Sequence, residues 1–175
     1  MNYLRLLHIL RKQRQGLLLV GCATLMLMSC GVDRNIKKGD KHLSLGEYYD
    51  AATQFKTAYQ RTSPKDRRQR GELSLNMADC YSRIASSQRA IAAYRNAIRY
   101  KQDNGETHKS LADNLMKEGS YTEAVKEYQI ALDSMPNNQV IAQSLQAASL
   151  AAGMKERGSK YIVKRMDVFN SRRQD

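Results

Sequence analysis

The chain has 175 residues, a net charge of +12, two Pro, ten Gly, two Phe and no Trp, a length that suits one domain and a composition that favours long helices with few turns. Its three cysteines are Cys22, Cys30 and Cys80. The first two lie in or beside an N-terminal apolar segment, so only Cys80 belongs to the folded part and an intramolecular disulfide framework is excluded.

Residues 1–15 are basic, with Arg5, Arg11, Lys12 and Arg14 and no acid. Gly16 to Met28 is apolar and is followed by Ser29-Cys30-Gly31 and then polar sequence. A charged start, an apolar stretch of this size and small residues at its end predict an export signal. The stretch is shorter than the roughly 20 apolar residues of a relaxed membrane-spanning helix. Leu27-Met28-Ser29-Cys30 resembles a bacterial lipobox; Leu19-Val20-Gly21-Cys22 also fits. Cys30 is preferred, because cleavage before Cys22 would leave a very short apolar region and expose Ala23–Met28 to water. The resemblance implies that residues 1–29 are a lipoprotein signal peptide, that Cys30 carries the lipid, and that residues 30–32 form the tether. Two or more acyl chains, at about 0.8 kcal/mol per buried CH2, hold a protein on a membrane without a spanning helix. Residue 31 is Gly rather than the Asp that resembles an inner-membrane retention signal, so the expected place is the periplasmic face of the outer membrane. The alternative is an uncleaved anchor.

The next segments read as paired helices. Asp33 to Leu45 carries Gly39 at a small-residue position, and Gly46 breaks it. Tyr48 to Arg61 carries Ala51, Phe55 and Ala58. Glu72 to Arg83 carries Ala78 and Tyr81, and Ser87 to Tyr100 carries Ala90, Tyr94 and Ala97. Glu106 to Lys117 carries Leu111, Ala112 and Leu115. After Gly119, Tyr121 to Ser134 carries Ala124, Tyr128 and Ala131, and Pro136 stops it. Gln139 to Ala152, with Leu145 at its core position, reads as a last helix covering the open apolar edge. Small, aromatic and small residues at i, i+4 and i+7 share one helical face, where the small ones admit a neighbouring helix and the ring fills the space beside it.

Ala90 to Ala124 is 34 residues and Ala51 to Ala90 is 39, which places five extra residues within Thr62 to Arg70. The three copies resemble the tetratricopeptide repeat (TPR), whose pattern is a Gly turn, A-x3-F/Y, a further small residue and Pro. The resemblance implies an all-α fold: a right-handed superhelix of antiparallel helix pairs, three repeats plus a capping helix, over residues 33–152. Residues 153–175 are the tail. Gly153 to Gly158 reads as a break, and Tyr161 to Phe169 as a β-rich stretch that cannot stand alone as a strand in water.

A lipobox, TPR units and the exit segment Lys160-Tyr-Ile-Val…Asp167-Val-Phe-Asn-Ser-Arg-Arg173 together resemble the start of Bacteroidota outer-membrane lipoproteins that join TPRs, a β-propeller and an OmpA-like peptidoglycan-binding domain. The PorE-type component of the type IX secretion machinery represents that family. The sequence stops at Asp175, where the propeller would begin, so the family's peptidoglycan anchoring is not carried over.

No catalytic constellation is expected, and no cofactor. His42 and His108 have no His, Cys or acid at metal-ligand spacing in sequence, and no phosphate loop or nucleophile motif occurs. Cys80, inside a helix, reads as a small buried thiol. Interest falls on the face of the first helices, expected to be the concave face that binds protein partners. There Asp40, Asp79 and Asp113 form one column, with Glu72, Glu106 and Asn76 beside it, an acidic strip suited to a basic or amide-rich partner segment. The plainer reading is that these acids pair with neighbouring Lys and Arg. A clamp for C-terminal carboxylates is disfavoured, because only Asn76 fits its Lys/Asn/Arg pattern; Ile36, Asp40, Glu106 and Ser110 do not. Arg89, Arg95, Arg99 and Lys126 lie on second helices and should face outward. The overall reading is a membrane-tethered scaffold for protein–protein interaction in the cell envelope, with the lipid as membrane partner and no nucleic acid partner expected. The alternative is a basic binder of nucleic acid or anionic lipid, driven by net charge.

Overall fold

The computed structural model describes residues 31–158, and these form helices and turns with no strand among them. The signal, Cys30 and the β-rich stretch from Tyr161 lie outside the described residues. Helix α1 is helical over described residues 31–44. It is followed by α2 (Tyr48–Arg61), α3 (Arg67–Arg83), α4 (Ser87–Arg99), α5 (Gly105–Lys117), α6 (Tyr121–Ser134) and α7 (Gln139–Arg157). From α2 onward each helix packs on the next in the chain, as antiparallel helices with short connections do. None of these helices is long and apolar enough to cross a membrane.

The core is the stripe that the repeat pattern marked. Ala51, Phe55, Ala58, Ala78, Ala90, Ala97, Ala112, Ala124 and Ala131 are completely buried, and Tyr94 and Tyr128 nearly so. Gly39 is buried against the Phe55 ring, and a Cβ there would stand 2.6 Å from a ring carbon. Tyr81 is half-buried at the core margin, and Pro136 is exposed just past the end of α6. On α7 the fully buried residues are Ile141 and Ala148, while Leu145 packs only at the margin.

Each turn within a pair closes in the same way. The amides of Glu47, Ser86 and Ser120 donate to the carbonyls of His42, Tyr81 and Leu115, each at 2.9 Å. The residue before each amide has positive φ: +76° at Gly46, +56° at Ala85 and +72° at Gly119. This is the hydrogen bond of a Schellman motif, which asks for a left-handed residue at that point. The middle repeat lacks the glycine signal, and Ala85, though exposed, takes the same conformation as Ser86 makes the same hydrogen bond to Tyr81.

Two expectations about boundaries are corrected. The first helix of the second pair begins at Arg67 rather than at Glu72, so most of the extra residues are helical. Four of them add a turn to α3, which has 17 residues against 13 in α5, and the fifth lengthens α2 to 14 against 13 in α4. Asp66 caps the added turn by accepting from the Gln69 amide at 3.0 Å. Arg70 lies 4.3 Å from the centre of the Tyr59 ring, and Arg67 5.5 Å from that of Tyr100. The second correction is Gly153, which does not break α7. A glycine inside a helix costs about 1 kcal/mol relative to alanine, and the good helix formers around it, Ala151, Ala152, Met154 and Lys155, carry the helix through. It ends where Gly158 takes φ +68°.

Candidate functional site

The column of aspartates turns out to be tied to the aromatic column. The Tyr94 hydroxyl donates to Asp79 Oδ1 at 2.6 Å, and the Tyr128 hydroxyl donates to Asp113 Oδ1 at 2.5 Å. Each pair is 15 residues apart, at equivalent repeat positions. Burial first, and the adjoining carboxylate second, push both phenols well above their ordinary value, so both stay protonated donors. In repeat one the pair at this spacing is Asp40 and Phe55. Phenylalanine has no hydroxyl, and Asp40 is exposed with no hydrogen bond or ion pair to another described residue. The same side chain therefore braces repeats two and three and stands free in repeat one.

The other predicted residues divide likewise. Glu72 pairs with Arg68, in the added turn of α3, at 2.9 Å. Lys109 lies 3.0 Å from Asp113 and 3.9 Å from Glu106. Asn76 is half-buried on α3. These ion pairs are largely exposed, so solvent screening leaves each with little net contribution. Of the predicted acids, Asp40 is the one without a partner among the described residues.

Partners absent from the sequence pattern appear at His42 and His108, the two histidines among the described residues. His108 is 8% exposed and stands between two carboxylates: its Nδ1 is 2.6 Å from Glu127 and its Nε2 is 2.6 Å from Asp103. Burial lowers the imidazole pKa, but the hydrogen bonds to Glu127 and Asp103 outweigh it and the net direction is upward from 6.5. A carboxylate at each nitrogen suits the doubly protonated ring, in which both nitrogens donate. Because the folded-state pKa is raised, this contribution is complete below pH 6.5 and is lost as pH rises through the raised value. Thermal stability is expected to fall on going from mildly acidic to mildly alkaline buffer, by on the order of 1 kcal/mol given the exposure of Asp103. In His108→Gln that slope should flatten; a slope equal to the parent's would assign it to other groups.

His42 pairs with Glu47 at 2.6 Å. With Asp50 they place one ligand atom each within 4.8 Å of one another, an arrangement that can take a divalent cation. The three residues flank the Gly46 turn, so linear spacing did not reveal them. Cys80 is completely buried, and burial, with the Asp79 charge second, pushes its thiol up to about 11. It stays a protonated thiol at neutral pH.

Two grooves, lined mainly by second-helix residues, include none of the acids of the column. One, about 360 Å³, lies between α4 and the α5–α6 pair and is lined by Arg95, Glu118 and Glu123 among others. Arg95 reaches Glu123 across it at 2.6 Å and Gln88 reaches Glu118 at 3.2 Å. The other, about 630 Å³, lies between α2 and α4 over a floor of Met77 and Ala93, with Tyr49, Tyr59, Lys56 and Arg89 on its walls. Arg89, Arg95, Arg99 and Lys126 are all exposed, as expected of outward-facing residues.

No family model matches the sequence, and no curated protein matches it. Solved structures do. The C-terminal TPR-containing domain of an FK506-binding protein of Plasmodium falciparum aligns with a TM-score of 0.65 at 17% identity, over 75% of this chain and 94% of that one. The first TPR of Spaghetti (RPAP3), bound to an HSP90 peptide, aligns with a TM-score of 0.60 at 21% identity, over 72% and 96%. The protein MamA aligns with a TM-score of 0.62 at 20% identity, over 73% and 67%. With small residues at every crossing, an aromatic in each second helix and these structural neighbours, the chain has an all-α fold, the superhelix of tetratricopeptide repeats.

Proposed function

We propose that this chain is a scaffold that binds a protein partner on its first-helix face. The observation that carries the reading is the acidic column of that face, in which Asp40 is left without a partner while Asp79 remains exposed beside Tyr94. Complementary potential favours a basic or amide-rich segment there. Ile36, Asp40, Glu106 and Ser110 stand where a carboxylate clamp needs Lys, Asn or Arg, which argues against a peptide like the HSP90 peptide bound to Spaghetti.

The finer reading keeps the tether: lipid on Cys30, the periplasmic side of the outer membrane, and an envelope assembly of the PorE type. Its support is the sequence Leu27-Met28-Ser29-Cys30 and the exit segment from Lys160 to Arg173.

The test measures binding of Lys/Arg-rich peptides to the full chain and to Asp40→Lys. Asp40 is chosen because its reversal disturbs no tyrosine. Affinity should fall about tenfold in the variant; unchanged affinity would remove the reading. For the tether, mass spectrometry of the membrane-extracted protein should find an acyl mass on Cys30. An intact N-terminus without an acyl mass would leave the scaffold and delete the lipid on Cys30, as an uncleaved anchor predicts.

A further inference from the structure

The two second-helix grooves are copies of one structural position, yet their charges differ in kind. Lys56 on α2 is the counterpart of Arg95 on α4, 39 residues later, and Arg89 on α4 is the counterpart of Glu123 on α6, 34 residues later. In the second groove the pair is Arg95 with Glu123, and it closes the cleft at 2.6 Å. In the first groove the same two positions hold Lys56 and Arg89, two cations lining one cavity. Neither forms an ion pair with a described residue, and no carboxylate lines that cavity. Like charges at a bridging position repel, whereas opposite charges there bind the walls together. The wider groove, about 630 Å³ against 360 Å³, accompanies this difference.

The surroundings add to the charge. Arg89 lies 6.0 Å from the centre of the Tyr81 ring, and Arg70 lies 4.3 Å from that of Tyr59, which is also a wall of the groove. Tyr49 is 62% exposed, a large aromatic face turned to solvent. An apolar floor with an aromatic rim and cations on both walls is what an extended acidic segment needs: side chains to seat below and a carboxylate to place between the walls.

We propose that the α2–α4 groove is a second docking site, apart from the acidic column, and that it takes an acidic, partly apolar segment of a partner protein with a carboxylate between Lys56 and Arg89. This segment is not the chain's own C-terminus, because residues 159–175 carry Lys160, Lys164, Arg165, Arg172 and Arg173 against Asp167 and Asp175 and are themselves basic.

The experiment is fluorescence anisotropy on the full chain with a labelled peptide of alternating Glu and Leu, its Gln-for-Glu twin, phosphatidylserine vesicles and single-stranded DNA. The Glu peptide should bind, and its twin should bind about tenfold more weakly or worse. Arg89→Glu should lose the Glu peptide by a similar factor while keeping or raising the thermal midpoint, since Lys56 then gains the partner that Arg95 already has. Arg89→Gln should lose affinity to a smaller extent, and Asp40→Lys, outside the groove, should bind as the parent does. No binding of the Glu peptide, equal binding of the twin, or parental affinity in Arg89→Glu would overturn the site. Tighter, Arg89-dependent binding of vesicles or DNA would overturn the peptide as its occupant. The readout is separate from that of the acidic face, so either proposal can fail alone.

Discussion

Tyr94→Ala is expected to cost about 3–5 kcal/mol of unfolding free energy, the range for truncating a buried aromatic ring. Tyr94 is 2% exposed, and Ala90 and Ala97 of its own helix and Ala78 of α3 are completely buried. Small residues already occupy those positions, so little can move in to fill the space, which sets the loss at the upper part of the range. Against a total stability of about 5–15 kcal/mol, the central repeat would be close to melting. Tyr94→Phe separates the two roles of the side chain. It keeps the ring and removes the hydroxyl that donates to Asp79 at 2.6 Å. Asp79 is exposed and water can replace the lost donor, so this change should cost only about 1 kcal/mol. Urea titration followed by circular dichroism measures both. If the two variants proved equally destabilised, the hydroxyl and not the ring would be the main support, and the account of the core given above would be wrong.

Ile141→Asp is expected to release α7 while leaving the middle of the stack folded. Ile141 is the one large side chain of α7 that is completely buried; Val140, Leu150 and Met154 are each more than 60% exposed. A carboxylate without a partner in that pocket costs several kcal/mol, more than the remaining contacts of α7 supply. Stacked repeats depend on nearest-neighbour interfaces, so loss at one end need not propagate. Hydrogen exchange should show α7 amides losing protection and α6 weakening, with α3 and α4 near their original values. Uniform loss of protection through every helix would show that the array unfolds as a single unit.

Much of this architecture could be read before any coordinates. Close approach of two helices requires Gly or Ala at the crossing, and one ring per second helix requires Phe or Tyr four residues after the first small position. Those residues stand at periods of 34 and 39, so the pairs, their order and nearly all the core were legible. Other features left no local mark. The added turn of α3 looked like a loop because its residues, Arg67 to Arg70, are polar; what makes them helical is the Asp66 cap and the rings of Tyr59 and Tyr100 waiting above them. The partners of His108 lie 5 and 19 residues away, at separations that no spacing rule connects. The acidic column was visible, but its division into braced and free members was not, because it depends on whether the residue 15 positions later has a hydroxyl that the fold brings to it.

The amino-acid sequence by itself determined the helix pairs, their period and the stripe they bury, because these follow from side-chain size recurring along a single helix face. Which charges meet was decided only by the tertiary structure. Arg95 finds Glu123 at 2.6 Å, while Lys56 and Arg89 line a single groove with no carboxylate between them. A Coulomb interaction depends on distance in space, and only the stacking of one repeat on the next sets that distance.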